Sequence, residues 1–224
     1  MVELPVSVLV DDESKRVIAD MKILVACEFS GVVRRAFAAR GHDVWSCDLL
    51  PAEDRSNRHI IGDVRAIVHD GWDMMIAHPP CTRLCNSGVA WLHKRNLWTE
   101  LDAGAELFSV LWNAPIPMRC VENPVMHKYA KARIRNYRDP QYVQPWQFGH
   151  GETKQTGLWL HNLPDLVPTD IVEGREQRVF KMSPSTARWQ ERSRTFPGIA
   201  AAMAEQWPNL WFAGWITGFR GDMC

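Results

Sequence analysis

The chain has 224 residues, with 26 basic and 26 acidic side chains and a formal net charge of zero. Overall attraction to a polyanion is thereby excluded, and a nucleic-acid partner has to be met by a local patch. Apolar residues make up 46% and charged residues 23%, the composition of an ordinary globular chain long enough to bury a full core. Cysteines at 27, 47, 81, 85, 120 and 224 form no short repeating framework. That favours reduced thiols in a cytoplasmic setting over a disulfide scaffold.

Residues 1–20 carry early acids and a proline without a long apolar run, so they read as an extension, neither signal peptide nor membrane span. A single domain over 21–224 is expected. "KILVACEF" (22–29) is a continuous apolar run of strand length, followed by Ser30-Gly31 and a helical face of Val32, Val33, Ala36 and Phe37 that Gly41 stops. "HDVWSCDLLP" (42–51) and "HIIGDV" (59–64) predict strands ending at Asp48 and Asp63, and "WDMMIAHPP" (72–80) a strand ending in a Pro-Pro turn. "WTELDAGAELFSVLWNA" (98–114) predicts a helix, "MRCVENP" (118–124) a fifth strand and "MHKYAKARIRNY" (126–137) a helix or helical turn. This alternation implies an α/β Rossmann-like fold with a mostly parallel sheet and helices on both faces. The eleven tryptophans are expected to fill or cap the core.

In such sheets ligands lie beyond the carboxyl ends of the strands, and the unusual residues cluster there. Gly31 sits between a strand and a helix start, where a backbone can approach a ligand or simply make a tight turn. Asp48 stands where an acid takes ribose hydroxyls, or where a loop or helix cap needs a carboxylate; Asp63 has the same two readings. Pro79 and Pro80 fix their own φ and push His78 to an extended conformation, so Cys81 is presented on a stiff loop. Cys81 is the candidate nucleophile, with Arg83 and loop amides to favour its thiolate, or else a structural thiol. A mixed metal set of His78, Cys81, Cys85 and His93 has no common zinc spacing. Glu122 follows an apolar strand, where burial can keep a carboxylate ready to share a proton; capping the next helix is its other reading, and Asn123 and Pro124 shape the turn.

Taken in this order, "FSG", "CDLLP", "GDV", "PPC" with a following "NSG", and "ENP" resemble the DNA (cytosine-5) methyltransferases over about residues 21–125. "QFGHGETKQTGLWL" is similar to that family's later strand bearing a basic residue, here Lys154 where an arginine is usual, and "RSRTFPGIAAAMAEQW" to its C-terminal helix segment. The whole looks like a short, phage-type member, which implies a bacterial or phage-infected cytoplasm and no membrane partner. The resemblance implies that Cys81 adds to carbon 6 of cytosine while Glu122 holds ring nitrogen 3 and the amine, with Asn123 and Lys154 nearby. It also implies S-adenosylmethionine as methyl donor, with Phe29 on the adenine, Gly31 near the methionine part, Asp48 on the ribose and Asp63 near the adenine amine. Glu28, Ser30, Leu49, Val64 and Pro79 complete that expected cofactor set.

Only 161–191 stand where longer members carry a large target-recognition region. Selectivity is therefore expected to be relaxed, supplied by a protein partner, or directed at something other than duplex DNA. Lys128, Lys131, Arg133, Arg135 and Arg138 form a basic run without an acid, and Arg192 and Arg194 lie in a second, diluted one. With Arg83 they are the expected contacts to single- or double-stranded DNA. Competing readings are a same-fold enzyme acting on a free pyrimidine nucleotide or RNA, and a non-catalytic nucleic-acid or protein-binding module.

Overall fold

The central strand β1 (Lys22–Ala26) has Ile23 and Val25 on one face and Leu24 and Ala26 on the other, all fully buried. Alternate side chains of a strand point to opposite faces, so a run apolar at every position demands cover on both. One cover is α1 (Val32–Ala38) with α7 (Pro197–Gln206), which bring Val33, Phe37, Ile199 and Met203 against Ile23 and Val25. The other is α3 (Trp98–Trp112), which packs Leu101, Phe108 and Leu111 against Leu24 and Ala26. These observations come from a computed structural model, which describes residues 20–183, 185 and 188–208. Of the N-terminal extension only Asp20 falls within them, and 209–224 lie outside the described residues.

The remaining strands are β2 (Asp43–Asp48), β3 (His59–Ile61), β4 (Met74–Ala77), β5 (Met118–Pro124), β6 (Gln141–Val143) and β7 (Thr156–His161). They form one seven-stranded sheet in the order β3-β2-β1-β4-β5-β7-β6. β1 to β5 are mutually parallel, β7 runs antiparallel to β5, and β6 is antiparallel to β7. This is the α/β Rossmann-like fold expected from the sequence. The chain leaves β1 towards β2 and β3 and returns to β4 on the other side, so the switch point lies between β1 and β4. A crevice opens there beyond the strand ends.

Short helices α2 (Val89–Lys94), α4 (Lys128–Lys131), α5 (Arg178–Lys181) and α6 (Arg188–Ser193) complete the fold, with single turns at Val64–Ala66, Asn86–Gly88 and Pro145–Gln147. Several elements are shorter than the sequence pattern suggests. β1 stops at Ala26 because Cys27 takes a left-handed φ of 57°, turning the chain out of the sheet. The 126–137 segment holds one helical turn, capped by the His127 side chain on the Ala130 amide. β6, a three-residue edge strand, has too few residues to show a pattern of its own.

Candidate active site

The Pro-Pro-Cys loop owes its stiffness to more than its prolines. The His78 amide bonds to Ala26 O at 2.9 Å, extending the β4–β1 ladder by one step before Pro79 and Pro80 remove two donors. Cys81 O then accepts the amides of Leu84 (2.9 Å) and Cys85 (3.0 Å), closing a tight turn. The turn is clamped to the continuation of β5: Asn86 N bonds to Val125 O and His127 N to Leu84 O, and the His127 ring bonds to Arg83 O at 2.8 Å. These links bring the loop bearing Cys81 alongside the strand bearing Glu122.

Lys154 arrives from elsewhere in the chain for a topological reason. Because β7 is antiparallel to β5, the start of β7 lies at the end of β5, with Thr156 opposite Pro124 and Leu158 opposite Glu122. Lys154, two residues before β7, therefore projects over the same sheet edge, where its charge acts on both Cys81 and Glu122. Its ammonium donates to Arg194 O at 3.3 Å.

A cleft of about 890 Å³ opens here, bordered by Cys81, His78, Lys154 and Pro80 together with Phe29, Asp48 and Cys27. It is of the size that holds a small organic ligand. Glu122 pairs with His78 of the cleft wall, whose Nδ1 lies 3.2 Å from its Oε2, and both side chains are largely covered. Burial pushes the Glu122 carboxyl up, but the His78 hydrogen bond and the Lys154 charge outweigh it and hold Glu122 ionised. An ionised carboxylate only accepts, so His78 Nδ1 carries the donated proton. Asn123, beside it, is fully buried, and neither amide atom has a hydrogen-bond partner among the described residues.

The Cys81 and Cys85 thiols are hydrogen-bonded to each other. That bond, with burial, raises Cys81 well above the ordinary thiol range. Cys85 is lowered, first by the same bond and then by Ser87 Oγ at 3.1 Å and the amides of Ser87 and Gly88. Arg83, expected to favour the Cys81 thiolate, instead pairs with Glu100 on α3 at 2.8 Å. Lys154 is the cation that acts on Cys81.

The nine residues expected to hold a cofactor separate into distinct environments. Phe29 and Asp48 border the cleft. Burial raises the Asp48 carboxyl against a 2.9 Å bond from the Leu50 amide. The Glu28 carboxylate is buried and caps α1 through the amides of Val33 (2.7 Å) and Arg34 (3.2 Å), with Ser30 Oγ at 3.3 Å. Gly31 has φ 68°, and a side chain there would collide with Arg34, Asp54 and Arg35 rather than enter open space. Leu49 points to solvent, Val64 and Pro79 are buried, and Asp63 pairs with Arg65 on the surface. Trp189 of α6 rests on Phe29, ring centroids 5.7 Å apart.

The basic run loses much of its charge in three dimensions. Acids on α3, distant in sequence, pair with it: Asp102 with Arg133 and Glu106 with Arg135, while Asp139 lies 3.7 Å from Lys131. Lys128 is exposed over the Tyr129 ring. Arg192 borders the cleft, and Arg194 is held by Glu53 and Glu191. His93 packs edge-on against Trp98 and Tyr129, and no group of His, Cys, Asp or Glu among the described residues is arranged to hold a metal. No helix among them is long and apolar enough to cross a membrane.

Sequence reasoning passed over Cys27 as a site residue and weighed His78 only as a metal ligand. Only the strand-end position of "HPP" points to His78, and nothing local marks Cys27 as the left-handed residue bordering the cleft. It also missed three exposed aromatics on the rim, Trp91, Phe180 and Trp189.

No protein-family model and no curated protein sequence matches the chain. Solved structures similar to it include a candidate DNA modification methyltransferase encoded within an E. coli prophage, at 14% identity and a TM-score of 0.48, covering 74% of this chain and 56% of that one. An Entamoeba histolytica methyltransferase, EhMeth, is similar at 12% identity and a TM-score of 0.47, over 75% and 61%. The S. pombe Dnmt2 methyltransferase is similar at 12% identity and a TM-score of 0.40, over 72% and 54%. The aligned part thus spans about three fifths or less of each of those chains.

Proposed function

We propose that the protein is an S-adenosylmethionine-dependent methyltransferase acting on carbon 5 of a cytosine in nucleic acid. One observation carries the reading: the Cys81 thiol, the His78–Glu122 pair and the Lys154 ammonium meet at a single cleft that Phe29 and Asp48 also border. Those two residues fit an adenosine-bearing group. The Asp48 carboxylate retains acceptor capacity for sugar hydroxyls beside its bond from Leu50, and Phe29 gives an apolar wall. S-adenosylmethionine, when bound, would supply the electrophilic methyl group.

The remaining chemistry falls to the chain's own side chains. Cys81 gives up its thiol proton and Sγ bonds to carbon 6 as the carbon 5–carbon 6 π pair moves towards nitrogen 3. Nitrogen 3 takes up a proton that it shares with the Glu122 carboxylate, and Lys154 stabilises the developing negative charge. Loss of the carbon 5 proton with elimination of Cys81 closes the cycle. Burial on the clamped loop fixes the direction of attack, and the raised rim aromatics give an unstacked base surfaces to lie against. The neutralised basic run favours a second reading, a free pyrimidine nucleotide or a short single strand as substrate.

Transfer of labelled methyl groups from S-adenosylmethionine to duplex DNA, single-stranded DNA, tRNA and dCMP tests both readings. Incorporation into a polymer at cytosine carbon 5, lost in Cys81→Ala while cofactor binding persists, is the expected result. Unchanged transfer by Cys81→Ala refutes the role of the thiol, and preference for dCMP removes nucleic acid.

A further inference from the structure

Residues 74–99 hold no acid, and within them α2 carries an exposed ring and two cations on one turn. Trp91, Lys94 and Arg95 are spaced by three and four, which sets them on one helical face. The Arg95 guanidinium lies 4.6 Å from the centre of the Trp91 ring and the Lys94 ammonium 5.5 Å from it. Neither cation is paired with a carboxylate among the described residues, unlike Arg133 and Arg135. Trp91 is 49% exposed and borders the cleft that holds Cys81. The turn is fixed from below: Leu92 is buried in the core with Leu84 and Leu101, Arg95 N bonds to Trp91 O at 2.9 Å, and Leu97 N bonds to Leu92 O at 3.1 Å. α5 and α6 add Phe180, 71% exposed, and Arg192, again without a carboxylate partner among the described residues, to the same border.

An exposed indole beside unpaired cations offers a π face to a base and charge to the phosphates next to it. A base inside a duplex is already stacked on both sides and has no free face for such a ring, whereas a base in a single strand has. A lone nucleotide would fill the place of the reacting pyrimidine beside Cys81 and leave the rim ring uncovered. Resting on the methyl-transfer reading, we propose that the site takes a single-stranded polynucleotide, with the base next to the target cytosine stacked on Trp91 and the adjoining phosphates against Lys94 and Arg95. The neutralised run fits this substrate: a duplex is held through a row of free cations, and Asp102 and Glu106 remove two of them at Arg133 and Arg135. Every base has a π face, so this surface selects strandedness and not sequence.

The test is a binding measurement that needs no methyl transfer. Fluorescence anisotropy is read with a labelled strand of about 12 nucleotides, thymidines around one cytosine, alone and annealed to its complement, at about 50 and 200 mM salt. The wild-type protein is expected to hold the single strand about tenfold or more tighter than the duplex. Trp91→Ala is expected to weaken single-strand binding about 5- to 100-fold, the loss of one stacked base, and Trp91→Phe to keep most of the affinity. Affinity for S-adenosylmethionine should be unchanged in both. Lys94→Gln and Arg95→Gln are each expected to lower the log–log salt slope by about 0.7, and they carry the test should Trp91→Ala fail to fold. A folded Trp91→Ala that binds the strand within about twofold of wild type, a duplex held as tightly as the single strand, or salt slopes unchanged in both glutamine variants overturns this surface and leaves the methyltransferase reading standing. Single-strand binding that depends on Trp91, in a protein that transfers methyl to no cytosine substrate, supports the surface and overturns the enzymatic reading alone.

Discussion

Gly88 is where a single added carbon should disable the site without touching any reacting group. It ends the Asn86–Gly88 turn, and its φ of −93° is open to any residue, so an alanine there suffers no backbone strain. The difficulty is steric: its β-carbon would stand 2.3 Å from Thr82 O, the carbonyl next along the chain from Cys81, where real contacts begin at 3.0 Å. The Thr82 peptide must yield by about 0.7 Å, yet it sits in a turn held by the Leu84 and Cys85 amides and clamped to β5 through Asn86 and His127. Overpacking of this kind costs about 1–3 kcal/mol. At this chain length that lowers the melting midpoint by about 2–4 °C for each kcal/mol. Displacing a nucleophile by about an ångström costs up to about 100-fold in rate, so about 10- to 100-fold is expected for Gly88→Ala. Thermal unfolding and methyl transfer are measured side by side, with Gly62→Ala as control, since a carbon added there meets nothing within 4 Å. A Gly88→Ala protein with wild-type transfer would show that the loop is soft and that its clamping does not position Cys81.

Phe108 is fully buried between α3 and the sheet and meets Trp159 edge-to-face at 5.1 Å, so Phe108→Ala should cost about 3–5 kcal/mol in denaturant unfolding. Arg34, with a side chain 7% exposed, ties α1 to Asp54 and to Ser46 and Ser56. Arg34→Ala should destabilise by about 1–3 kcal/mol, the cost of losing charge-assisted hydrogen bonds while Asp54 keeps Arg35. Stability should also fall on the alkaline side. Burial, then the Asp48 charge, raises the Cys27 thiol to about 12 and the Cys47 thiol to about 11, from an ordinary 9.0. The unfolded chain ionises first, so this contribution is complete below about pH 9 and is lost as pH rises through 11 to 12. The slope is at most about 1.4 kcal/mol per pH unit for each thiol. Urea titrations from pH 8 to 11 check this, and Cys47→Ala should flatten the slope; a pH-independent midpoint refutes it.

What could be read from the chain was whatever depends on neighbours in sequence. After Lys22, "ILVA" is apolar at every position because both faces of β1 are covered, and the strand assignment follows without knowing by what. The Pro-Pro-Cys mount and the strand-end glutamate are likewise local, since proline geometry and a polar residue after an apolar run are properties of short segments. Even there, the ends of elements moved: Cys27 turns β1 out of the sheet through a left-handed φ that no residue pattern announces.

The electrostatics belonged to the tertiary structure. A run of bases without a nearby acid reads as a phosphate surface until α3 sets Asp102 and Glu106 beside Arg133 and Arg135. Gly31 reads as a point where backbone can approach a ligand, and only the structure shows that Arg34, Asp54 and Arg35 crowd any side chain added there. Conversely, Lys154 reaches Cys81 and Glu122 only because β7 reverses direction against β5, and His78 meets Glu122 only because β4 and β5 run side by side. By itself the sequence determined which segments form strands and which residues stand at their ends, because those preferences are set within a few peptide units. Which charges face one another, and therefore which groups are free to react, was decided only when distant segments met, since charge interactions act through space and not along the chain.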